Sequence, residues 1–373
     1  MTAARATAIV IGGGIGGLCA AIALRDAGWQ VRLHESASRF DPAGTALSLW
    51  PNAIAGLRML NAADAIEREA APIATMLMAR ADGRPIIGPL GIGREARLVT
   101  RTLLHRALLD AADGIALHLA SRVVEVIDEP DNAVAVLADG EGVSADLVVD
   151  ASGIWSPIAD RHIGNKPAPT GYGGVLALSD GVGDDGHDGA VAEYWGERER
   201  FGLCDVGGGH RYWFYMHGDP AVDLSRATLL RRADRFPAAI GAAIAATPVR
   251  RLVATAIHAR AVPRRLGRGR IISIGDAAHA MEPNLGQGAC QAIEDAVALG
   301  AIAKRGIAPA DMLGTFERTR LSRIGGFMRR SREGGMAAHG NFPRGALLRA
   351  GLPLIPEWMH ARMIGAMHRL PRY

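Results

Sequence analysis

Three glycines near the start of the chain follow a G-x-G-x-x-G spacing, and an acidic residue ends the next extended segment. The glycines are Gly12, Gly14 and Gly17, and the acid is Glu35. The first glycine of such a set permits a tight turn, the second lets backbone amides approach a pyrophosphate, and the third lets a helix pack closely on a strand. A carboxylate at the position of Glu35 accepts hydrogen bonds from ribose hydroxyls. The set predicts a dinucleotide site and favours an unphosphorylated ribose.

A second group of such residues follows an apolar strand late in the chain. Asp276 comes directly after Gly275 at the carboxyl end of that strand, where open α/β sheets place groups that contact ligands. The glycines that follow open a helix whose N-terminus can face an anion or an electron-rich ring. The group consists of Gly275-Asp276, Pro283, Gly286-Gln287-Gly288 and Glu294-Asp295-Ala296.

A β-α-β unit positions the first group. Ala8–Ile11 is a short apolar run typical of a buried parallel strand, Ile15–Ala27 carries helix formers, and Val31–His34 resumes an extended pattern. A glycine-rich turn also occurs in α/β proteins that bind no nucleotide. Here strand, helix, second strand and acid follow in register, which favours the dinucleotide site.

The composition is that of a folded protein in which nearly all the basic residues are arginine. The 373 residues are 49% hydrophobic and 21% charged, which excludes disorder and predicts two domains. Lysine occurs only at Lys166 and Lys304, and the net charge is +4. Arginine favours small anionic ligands, whereas so small a surplus, spread along the chain, predicts no nucleic-acid partner.

The cysteines and the N-terminus bear on metal binding and location. Cys19, Cys204 and Cys290 lie far apart, and none belongs to a CxxC pair or a cluster with metal-ligand spacing. The sequence therefore predicts no metal site and a cytoplasmic location. The N-terminus lacks the order of features of a signal peptide, and glycines interrupt the most apolar stretch, so no transmembrane segment is expected.

Aromatic residues concentrate in the middle of the chain, between Tyr172 and Tyr215. In a chain with only 5% aromatic residues, this concentration suggests a sheet-based substrate domain inserted into the nucleotide-binding one. An ordinary strand-rich core is the alternative. Side chains alternate along a strand, so either Tyr212, Phe214 and Met216 or Trp213 and Tyr215 can line a cavity, but not both sets.

Together these motifs resemble those of the FAD-dependent aromatic hydroxylases with the p-hydroxybenzoate hydroxylase fold, in the branch that includes salicylate hydroxylases, urate hydroxylases and zeaxanthin epoxidases. The two glycine-containing groups match that family's two fingerprints, and Arg101 stands where the family usually has an FAD-contacting arginine. The resemblance covers about residues 6–332. It implies an α/β fold, with a Rossmann-like FAD-binding domain, an inserted mixed β-sheet substrate domain and C-terminal helices.

The predicted domain boundaries follow from this fold. The FAD-binding domain takes residues 1–72, 98–165 and 260–335, and the substrate domain takes residues 73–97 and 166–259. Residues 336–373 form a C-terminal helical tail with arginines and apolar residues, a composition that suits a basic amphipathic helix on an anionic membrane. Two prolines interrupt any long helix there, which favours packing over the nucleotide-binding domain or against a second subunit. A monomer and a homodimer both stay open.

The resemblance also implies roles for individual residues. Glu35 would hold the adenosine ribose, Asp276 the ribityl chain, and Arg101 would lie near the pyrophosphate or ribityl; a surface ion pair is the alternative for Arg101. His279 is expected to complete a turn and Cys290 to pack in the core. The backbone from 283 to 288 would lie along the isoalloxazine, and the cofactor-binding set is Gly12, Gly14, Gly17, Glu35, Arg101, Asp276, Pro283, Gly286, Gln287 and Gly288.

One segment departs from the family pattern G-A-D-G-x-x-S-x-x-R. Asp150 stands at the first glycine, Ser152 at the aspartate and Ala159 at the arginine, with Arg161 two residues later. Either Asp150, Ser156 and Arg161 serve with a shifted geometry, or reduction by a nicotinamide nucleotide is weakened. FAD binding is expected in both cases, since the flanking fingerprints are intact.

The resemblance implies a monooxygenase that uses FAD, with NADPH or NADH as transient electron donor, and O2. One oxygen atom would reach an aromatic or other electron-rich small molecule through a C4a-hydroperoxyflavin, in a hydroxylation or an epoxidation. A flavin-binding oxidoreductase or a degenerate flavoprotein without oxygen transfer is the alternative. The catalytic candidates are His210, Tyr212 and Pro283, with His217 as a second histidine, and the substrate-cavity candidates are Leu49, Tyr194, Tyr212 and Phe214, beside Leu47 and Trp50.

Overall fold

The computed structural model describes residues 5–40, 45–181, 187–339 and 343–373. In these ranges the strands are β1 (Thr7–Ile11), β2 (Gln30–His34), β3 (Ala46–Leu49), β4 (Ala71–Pro72), β5 (Thr75–Arg80), β6 (Pro85–Gly91), β7 (Arg97–Thr100), β8 (Ala116–His118), β9 (Val123–Asp128), β10 (Ala133–Leu137), β11 (Gly142–Ala145), β12 (Leu147–Asp150), β13 (Ala168–Leu178), β14 (Ala190–Trp195), β15 (Glu199–Gly207), β16 (His210–His217), β17 (Val253–Ala259), β18 (Gly267–Arg268) and β19 (Ile271–Ser273). The helices are α1 (Ile15–Asp26), α2 (Pro51–Met59), α3 (Asp64–Glu69), α4 (Arg101–Ala111), α5 (Pro157–His162), α6 (Arg226–Ala233), α7 (Ala238–Ala245), α8 (Asp276–His279), α9 (Gly288–Lys304), α10 (Pro309–His339), α11 (Pro343–Gly351) and α12 (Glu357–Met367).

A six-stranded sheet with the order β18-β19-β12-β1-β2-β8 forms the centre of the nucleotide-binding part. Its strands are parallel except for β18, which runs antiparallel to β19. Helix α1 packs on this sheet and against α9, where a Cβ added to Gly300 would lie 2.8 Å from the Cβ of Ala23. Small residues thus bring the two helices of the two glycine fingerprints together.

A seven-stranded mixed sheet, in the order β17-β13-β16-β15-β14-β5-β6, forms the second large layer. Its strands come from residues 75–91 and 168–259, which lie within the ranges predicted for the substrate domain. Its strands are antiparallel except for the parallel pair β14 and β5. The predicted α/β fold with a mixed second sheet is therefore confirmed. Two smaller antiparallel sheets, β11-β10-β9 and β3-β7-β4, complete the strands.

The two faces of the mixed sheet have different neighbours. Helices α6 and α7 cover one face, where Trp213 and Tyr215 lie in a buried cluster with Leu229 and Ile240. On the other face, Tyr212 packs against the core of the nucleotide-binding part. The two sets of β16 side chains thus lie on opposite faces, as the predicted alternation requires, and Trp213 and Tyr215 pack in the core beneath α6 and α7.

The tail packs on its own chain. Leu348 and Leu352 pack beside the cluster of Ile86 and Trp195 at the β6 edge of the mixed sheet. The last residues then return to the nucleotide-binding part, where the His368 ring stacks on Trp50 with centroids 4.4 Å apart. No helix in the described part of the chain is long and apolar enough to cross a membrane.

Candidate active site

The glycine-rich loop joins β1 to α1, and the space around each of its three motif glycines differs. Gly12 has φ +95°, and a Cβ there would lie 2.6 Å from the carbonyl oxygen of Ala151. A Cβ on Gly17 would lie 1.8 Å from the Gly12 carbonyl oxygen, whereas a Cβ on Gly14 would point into open space. Gly12 and Gly17 are therefore required by the fold itself. Gly14 leaves room above the N-terminus of α1, where free N–H groups suit a phosphate.

Glu35 lies beside this loop at the carboxyl end of β2. Its Oε2 accepts a hydrogen bond from the Gly13 backbone N–H at 2.7 Å, and its Oε1 accepts one from the Ala37 N–H at 2.7 Å. The carboxylate is thus held next to the mouth of the loop. This placement suits the predicted ribose contact.

Arg101 lies at the start of the helix that contacts the glycine-rich loop. It begins α4, its Nε donates to Thr45 Oγ1 at 3.1 Å, and His105 on the same helix lies 2.9 Å from the Gly13 carbonyl oxygen. Burial raises the pKa of the Tyr212 phenol, and the nearby charges of Arg101 and Arg200 offset part of that rise. Arg101 therefore lies within electrostatic reach of Tyr212, and it forms no ion pair with any described residue.

The Gly275-Asp276 turn is anchored from α9. Asp295 Oδ2 accepts hydrogen bonds from the Gly275 N–H at 3.0 Å and from His279 Nε2 at 2.6 Å. These contacts fix the start of α8 and explain why the turn and the Glu294-Asp295 pair occur together. Asp276 itself is exposed and forms no hydrogen bond with the described residues, so its carboxylate is free to accept from a ligand.

The segment from Pro283 to Gly288 lies against Trp50. A Cβ on Gly286 would lie 2.5 Å from Ser48 Oγ and 2.9 Å from Trp50 Nε1. Two buried donors here, Trp50 Nε1 and Gln287 Nε2, have no hydrogen-bond partner among the described residues. Buried donors without a partner are costly, so such a cluster fits a ligand rich in acceptors. The nitrogen and carbonyl oxygen atoms of an isoalloxazine meet that requirement.

The segment that departs from the family pattern forms a closed network. The hydroxyls of Ser152, Ser156 and Ser273 donate to the fully buried Asp150 carboxylate, at 2.6, 2.7 and 3.2 Å. Arg161 instead pairs with Glu125 at the surface. Of the three residues expected to serve with a shifted geometry, Asp150 and Ser156 therefore hold each other, and Arg161 points elsewhere.

Arg260, which the sequence analysis did not identify, holds that segment in place. Its Nη2 donates to the Ile154 carbonyl oxygen at 2.6 Å, and its Nη1 donates to Asp160 Oδ1 at 2.8 Å. Its backbone N–H donates to the Ala280 carbonyl oxygen at 2.9 Å. A buried arginine that follows β17 thus braces the turn before α5 and the helix α5 itself, in which Ala159 stands at the arginine position.

A polar cluster lies where the mixed sheet meets the Pro283 segment. Arg200, 2% exposed, donates from Nη1 to Glu193 Oε2 at 3.0 Å and from Nη2 to Asn284 Oδ1, and its guanidinium lies 5.4 Å from the Phe214 ring centroid. The Tyr172 hydroxyl donates to Glu282 Oε2 at 3.0 Å. Burial raises the pKa of the Glu282 carboxyl, and hydrogen bonds from Tyr172 and Asn284 offset part of that rise. Of these five polar residues, only Tyr172 stands out in the sequence, as one end of the aromatic-rich region, because residues 172, 193 and 200 lie far from residues 282 and 284 in the chain.

The structure separates the predicted substrate-cavity residues. Phe214 lies in this cluster under Arg200, and Tyr212 packs with Leu49 against one core. Tyr194 lies on the opposite face of the sheet, in the buried cluster beneath α6 and α7, so it shares no cavity wall with Tyr212 and Phe214. The reason is the strand register, since Tyr194 pairs with Phe201, whose side chain points to the same helix-covered side.

The two candidate histidines lie at the ends of β16. His210 is exposed, with Nδ1 3.1 Å from the Ser179 carbonyl oxygen, and His217 Nδ1 accepts from the Asp219 N–H at 2.9 Å. The His217 ring is thus engaged in a local turn, whereas the His210 ring contacts the backbone just after the neighbouring strand β13. Cys290 is buried, as expected for packing, and burial raises the pKa of its thiol to about 12. The described residues contain no group of His, Cys, Asp and Glu side chains placed to hold a metal ion.

The comparisons with known proteins decide the family. The family model described as "FAD binding domain" matches residues 5–331. The chain belongs to this family. This flavoprotein is 33% identical over 316 residues to an aurachin C monooxygenase/isomerase from Stigmatella aurantiaca, covering 79% of each chain. It is 30% identical over 361 residues to an FAD-dependent urate hydroxylase from Klebsiella pneumoniae subsp. pneumoniae, covering 89% of this chain and 90% of that protein.

A solved structure supports the same assignment. The crystal structure of Klebsiella pneumoniae HpxO complexed with FAD and uric acid superposes with a TM-score of 0.87 and 27% identity, covering 97% of the flavoprotein and 96% of that chain. The family resemblance predicted from the motifs is therefore confirmed, and with it a flavoprotein of the monooxygenase class. The residues described above fit FAD, because the loop leaves open space at Gly14, the Asp276 carboxylate has no hydrogen-bond partner among the described residues, and Trp50 Nε1 and Gln287 Nε2 are unpaired donors.

Asp276 gives a direct test of the second fingerprint. The Asp276→Ala variant is expected to bind FAD about tenfold more weakly, since loss of a hydrogen bond to a charged group costs about 1.5 kcal/mol or more. The measurement is titration of apoprotein with FAD, followed by flavin fluorescence. Asp234→Ala, at the exposed C-cap of α6, is the control and should bind FAD like the parent. Equal affinity in both variants would remove Asp276 from the cofactor site.

Proposed function

We propose that this flavoprotein takes electrons from NADPH or NADH and transfers one atom of O2 to an aromatic or other electron-rich small molecule bound between the mixed sheet and the Pro283 segment. Bound FAD supplies the redox and oxygen-activating chemistry, as in the matched family. The side chains of this chain bind, orient and shield the substrate. The observation that carries the proposal is Arg200, a buried arginine at the contact between the two layers.

Arg200 is arranged to bind an anionic or carbonyl oxygen. Its Nη atoms contact Glu193 and Asn284, but its buried Nε has no partner in the described part of the chain. An unpaired buried N–H costs free energy that a ligand acceptor recovers. Phe214 lies beneath the guanidinium and offers an aromatic face, which suits a planar ring with an ionised hydroxyl, a carboxylate or a carbonyl group.

Tyr212 complements this arrangement as a proton donor. Burial raises the pKa of its hydroxyl, so the phenol stays protonated at neutral pH and can donate a hydrogen bond to substrate oxygen. The surrounding Leu49 and Cys204 side chains are buried and apolar. Such surroundings exclude water, which limits unproductive release of reduced oxygen. His210 and Pro283 remain candidates for catalysis, with His210 exposed at the start of β16 and Pro283 beside Asn284.

The test of the function is product oxygenation. The FAD-loaded protein is incubated with NADPH or NADH and a panel of phenols, heteroaromatic compounds and alkyl-substituted quinolones, and consumption of the nucleotide is followed. For each compound that stimulates consumption, isotopically labelled O2 should place one labelled atom in the product, detected by mass spectrometry. Stimulated consumption without label in any product would point to an FAD oxidoreductase without oxygen transfer.

Arg200→Gln tests the substrate contact. Loss of charge-assisted hydrogen bonds of about 1.5–3 kcal/mol should lower kcat/KM roughly 10- to 100-fold, while FAD content stays unchanged. The matched control is Arg250→Gln, in the exposed turn Val249–Arg251, which should keep the parental kcat/KM. A normal kcat/KM in Arg200→Gln would show that the substrate binds elsewhere.

A further inference from the structure

The C-terminal segment, residues 343–373, presents a row of apolar side chains to solvent. Leu354 is 82% exposed, Leu347 72% and Trp358 62%, and Met359 and Met363 lie one turn apart beside Trp358 on α12. We call these five residues the apolar ridge. Soluble proteins seldom expose large neighbouring apolar side chains unless the surface binds a partner.

The segment that carries the apolar ridge also carries the net charge of the protein. It contains five arginines and one glutamate, a net charge of +4, which equals that of the whole chain; the other residues sum to zero. The excess of basic residues is therefore concentrated in this segment, which corrects the interpretation above that it is spread along the chain. Arg362, Arg369 and Arg372 are exposed and form no ion pair with any described residue. Arg362 lies on α12 with Trp358, Met359 and Met363, so this helix is both apolar and positively charged.

Side-chain contacts attach α11, which carries Leu347 of the apolar ridge, to the rest of the protein. The Arg349 guanidinium donates from Nε to the Ala337 carbonyl oxygen at 3.0 Å and lies 5.9 Å from the Trp195 ring centroid. These contacts attach the inner side of α11 to the protein body. An apolar hollow of about 330 Å³ lies along α11 and the turn that follows it, lined by Leu347, Leu348, Gly351, Leu352 and Ile355.

We propose that the apolar ridge docks this flavoprotein on the surface of an anionic lipid bilayer. Helix α12 then lies in the plane of the interface, with Trp358, Met359 and Met363 among the upper acyl groups and the exposed arginines at the lipid phosphates. A second copy of the chain fits less well. A two-fold symmetric contact through the same face brings two segments of charge +4 together, and like charges oppose such an interface.

The test is flotation of the FAD-loaded full chain with vesicles of phosphatidylcholine, alone or mixed with phosphatidylglycerol. We expect flotation with the mixed vesicles only, and a bound fraction that falls as salt is raised, because salt screens the attraction between arginine and phosphate. The double variant Leu354→Ser/Trp358→Ser should bind about tenfold more weakly. Replacing any one of the three exposed arginines by glutamine should weaken binding about fivefold.

Trp155→Ser is the matched control. Trp155 is 63% exposed but lies outside the C-terminal segment, so this variant should float like the parent. Light scattering of each protein reports its oligomeric state in parallel. The proposal is overturned if the parent does not float with phosphatidylglycerol vesicles or if the double variant floats equally well. It is also overturned if the parent is a dimer that the double variant converts to a monomer.

Discussion

The Gly14→Val variant is expected to fold like the parent and to bind FAD more than about a hundredfold more weakly. Gly14 has φ −75° and ψ −174°, an extended conformation that valine adopts readily, and its Cβ would meet no atom within 4 Å. The open space is the one into which the pyrophosphate must come. A branched side chain there separates the phosphates from the amides of α1, and loss of two charge-assisted hydrogen bonds costs about 3 kcal/mol or more.

Two further variants separate cofactor binding from folding. Gly91→Val, at the exposed end of β6, also adds a side chain in open space, and it should bind FAD like the parent. Gly17→Val places its Cβ 1.8 Å from the Gly12 carbonyl oxygen, so it should lose stability even without FAD. The measurements are thermal unfolding of each apoprotein and titration with FAD. A Gly14→Val protein with parental affinity would exclude pyrophosphate binding at this loop.

The cofactor site could be predicted because its parts are local in sequence. Gly12, Gly14 and Gly17 lie in one turn, and Glu35 ends the strand that follows the helix, so spacing alone reflects their geometry. The Gly275-Asp276 turn is similar. The structure adds the reason that Glu294-Asp295 accompanies it, namely the hydrogen bond from Gly275 to Asp295.

The substrate side could be predicted only in part, because it depends on how distant strands pair. Alternation along β16 correctly separated Tyr212 from Trp213, but it gave no register between strands. Tyr194 was grouped with Tyr212 although the pairing of β14 with β15 turns it to the other face. Arg200 was missed for the same reason, since its partner Asn284 is on a different layer of the fold. Because the chain is rich in arginine, an arginine at position 200 did not by itself indicate a binding site.

The altered segment around Asp150 shows how the fold accommodates a lost motif residue. Ala159 replaces the motif arginine, and Arg260, which follows β17, hydrogen-bonds to residues on either side of it, Ile154 and Asp160. The Ser152, Ser156 and Ser273 hydroxyls satisfy the Asp150 carboxylate without a cation. The loop is thus ordered by different side chains. This arrangement favours an intact FAD site. The property that the altered segment could change is the reduction of the flavin by NADPH or NADH.

Arg320→Ala is expected to lower the free energy of unfolding by about 3–5 kcal/mol at neutral pH. Arg320 is completely buried on α10 and donates to Asp295 Oδ1 and to Glu294 Oε2, each at 2.7 Å. Its loss leaves two buried carboxylates with fewer partners. The matched control is Arg318→Ala, exposed two residues earlier on the same helix, which should change stability by less than about 0.5 kcal/mol.

The same variant has a distinct pH dependence. Burial alone would raise the pKa of Asp295, but the charges of His279 and Arg320 outweigh it and hold that pKa below its ordinary value; Arg323 and Arg320 do the same for Glu294. Carboxyls with lowered pKa values contribute stability above their unfolded-state pKa of about 4, and this stability is lost as pH falls through the folded-state pKa. The difference between parent and Arg320→Ala should therefore be largest near neutral pH and shrink below about pH 5.

Denaturant unfolding of both apoproteins from neutral to acidic pH measures this difference. If the difference in the free energy of unfolding between the two proteins stayed constant with pH, Arg320 would act through packing and not through the two carboxylates. The same network links the Gly275-Asp276 turn to the C-terminal residue. Asp295 accepts from the Gly275 N–H, and the Tyr373 hydroxyl accepts from Arg320 at 2.8 Å. The Arg320→Ala protein should accordingly bind FAD less tightly than the Arg318→Ala control, since Asp295, which anchors the turn that presents Asp276, loses its hydrogen bond from α10.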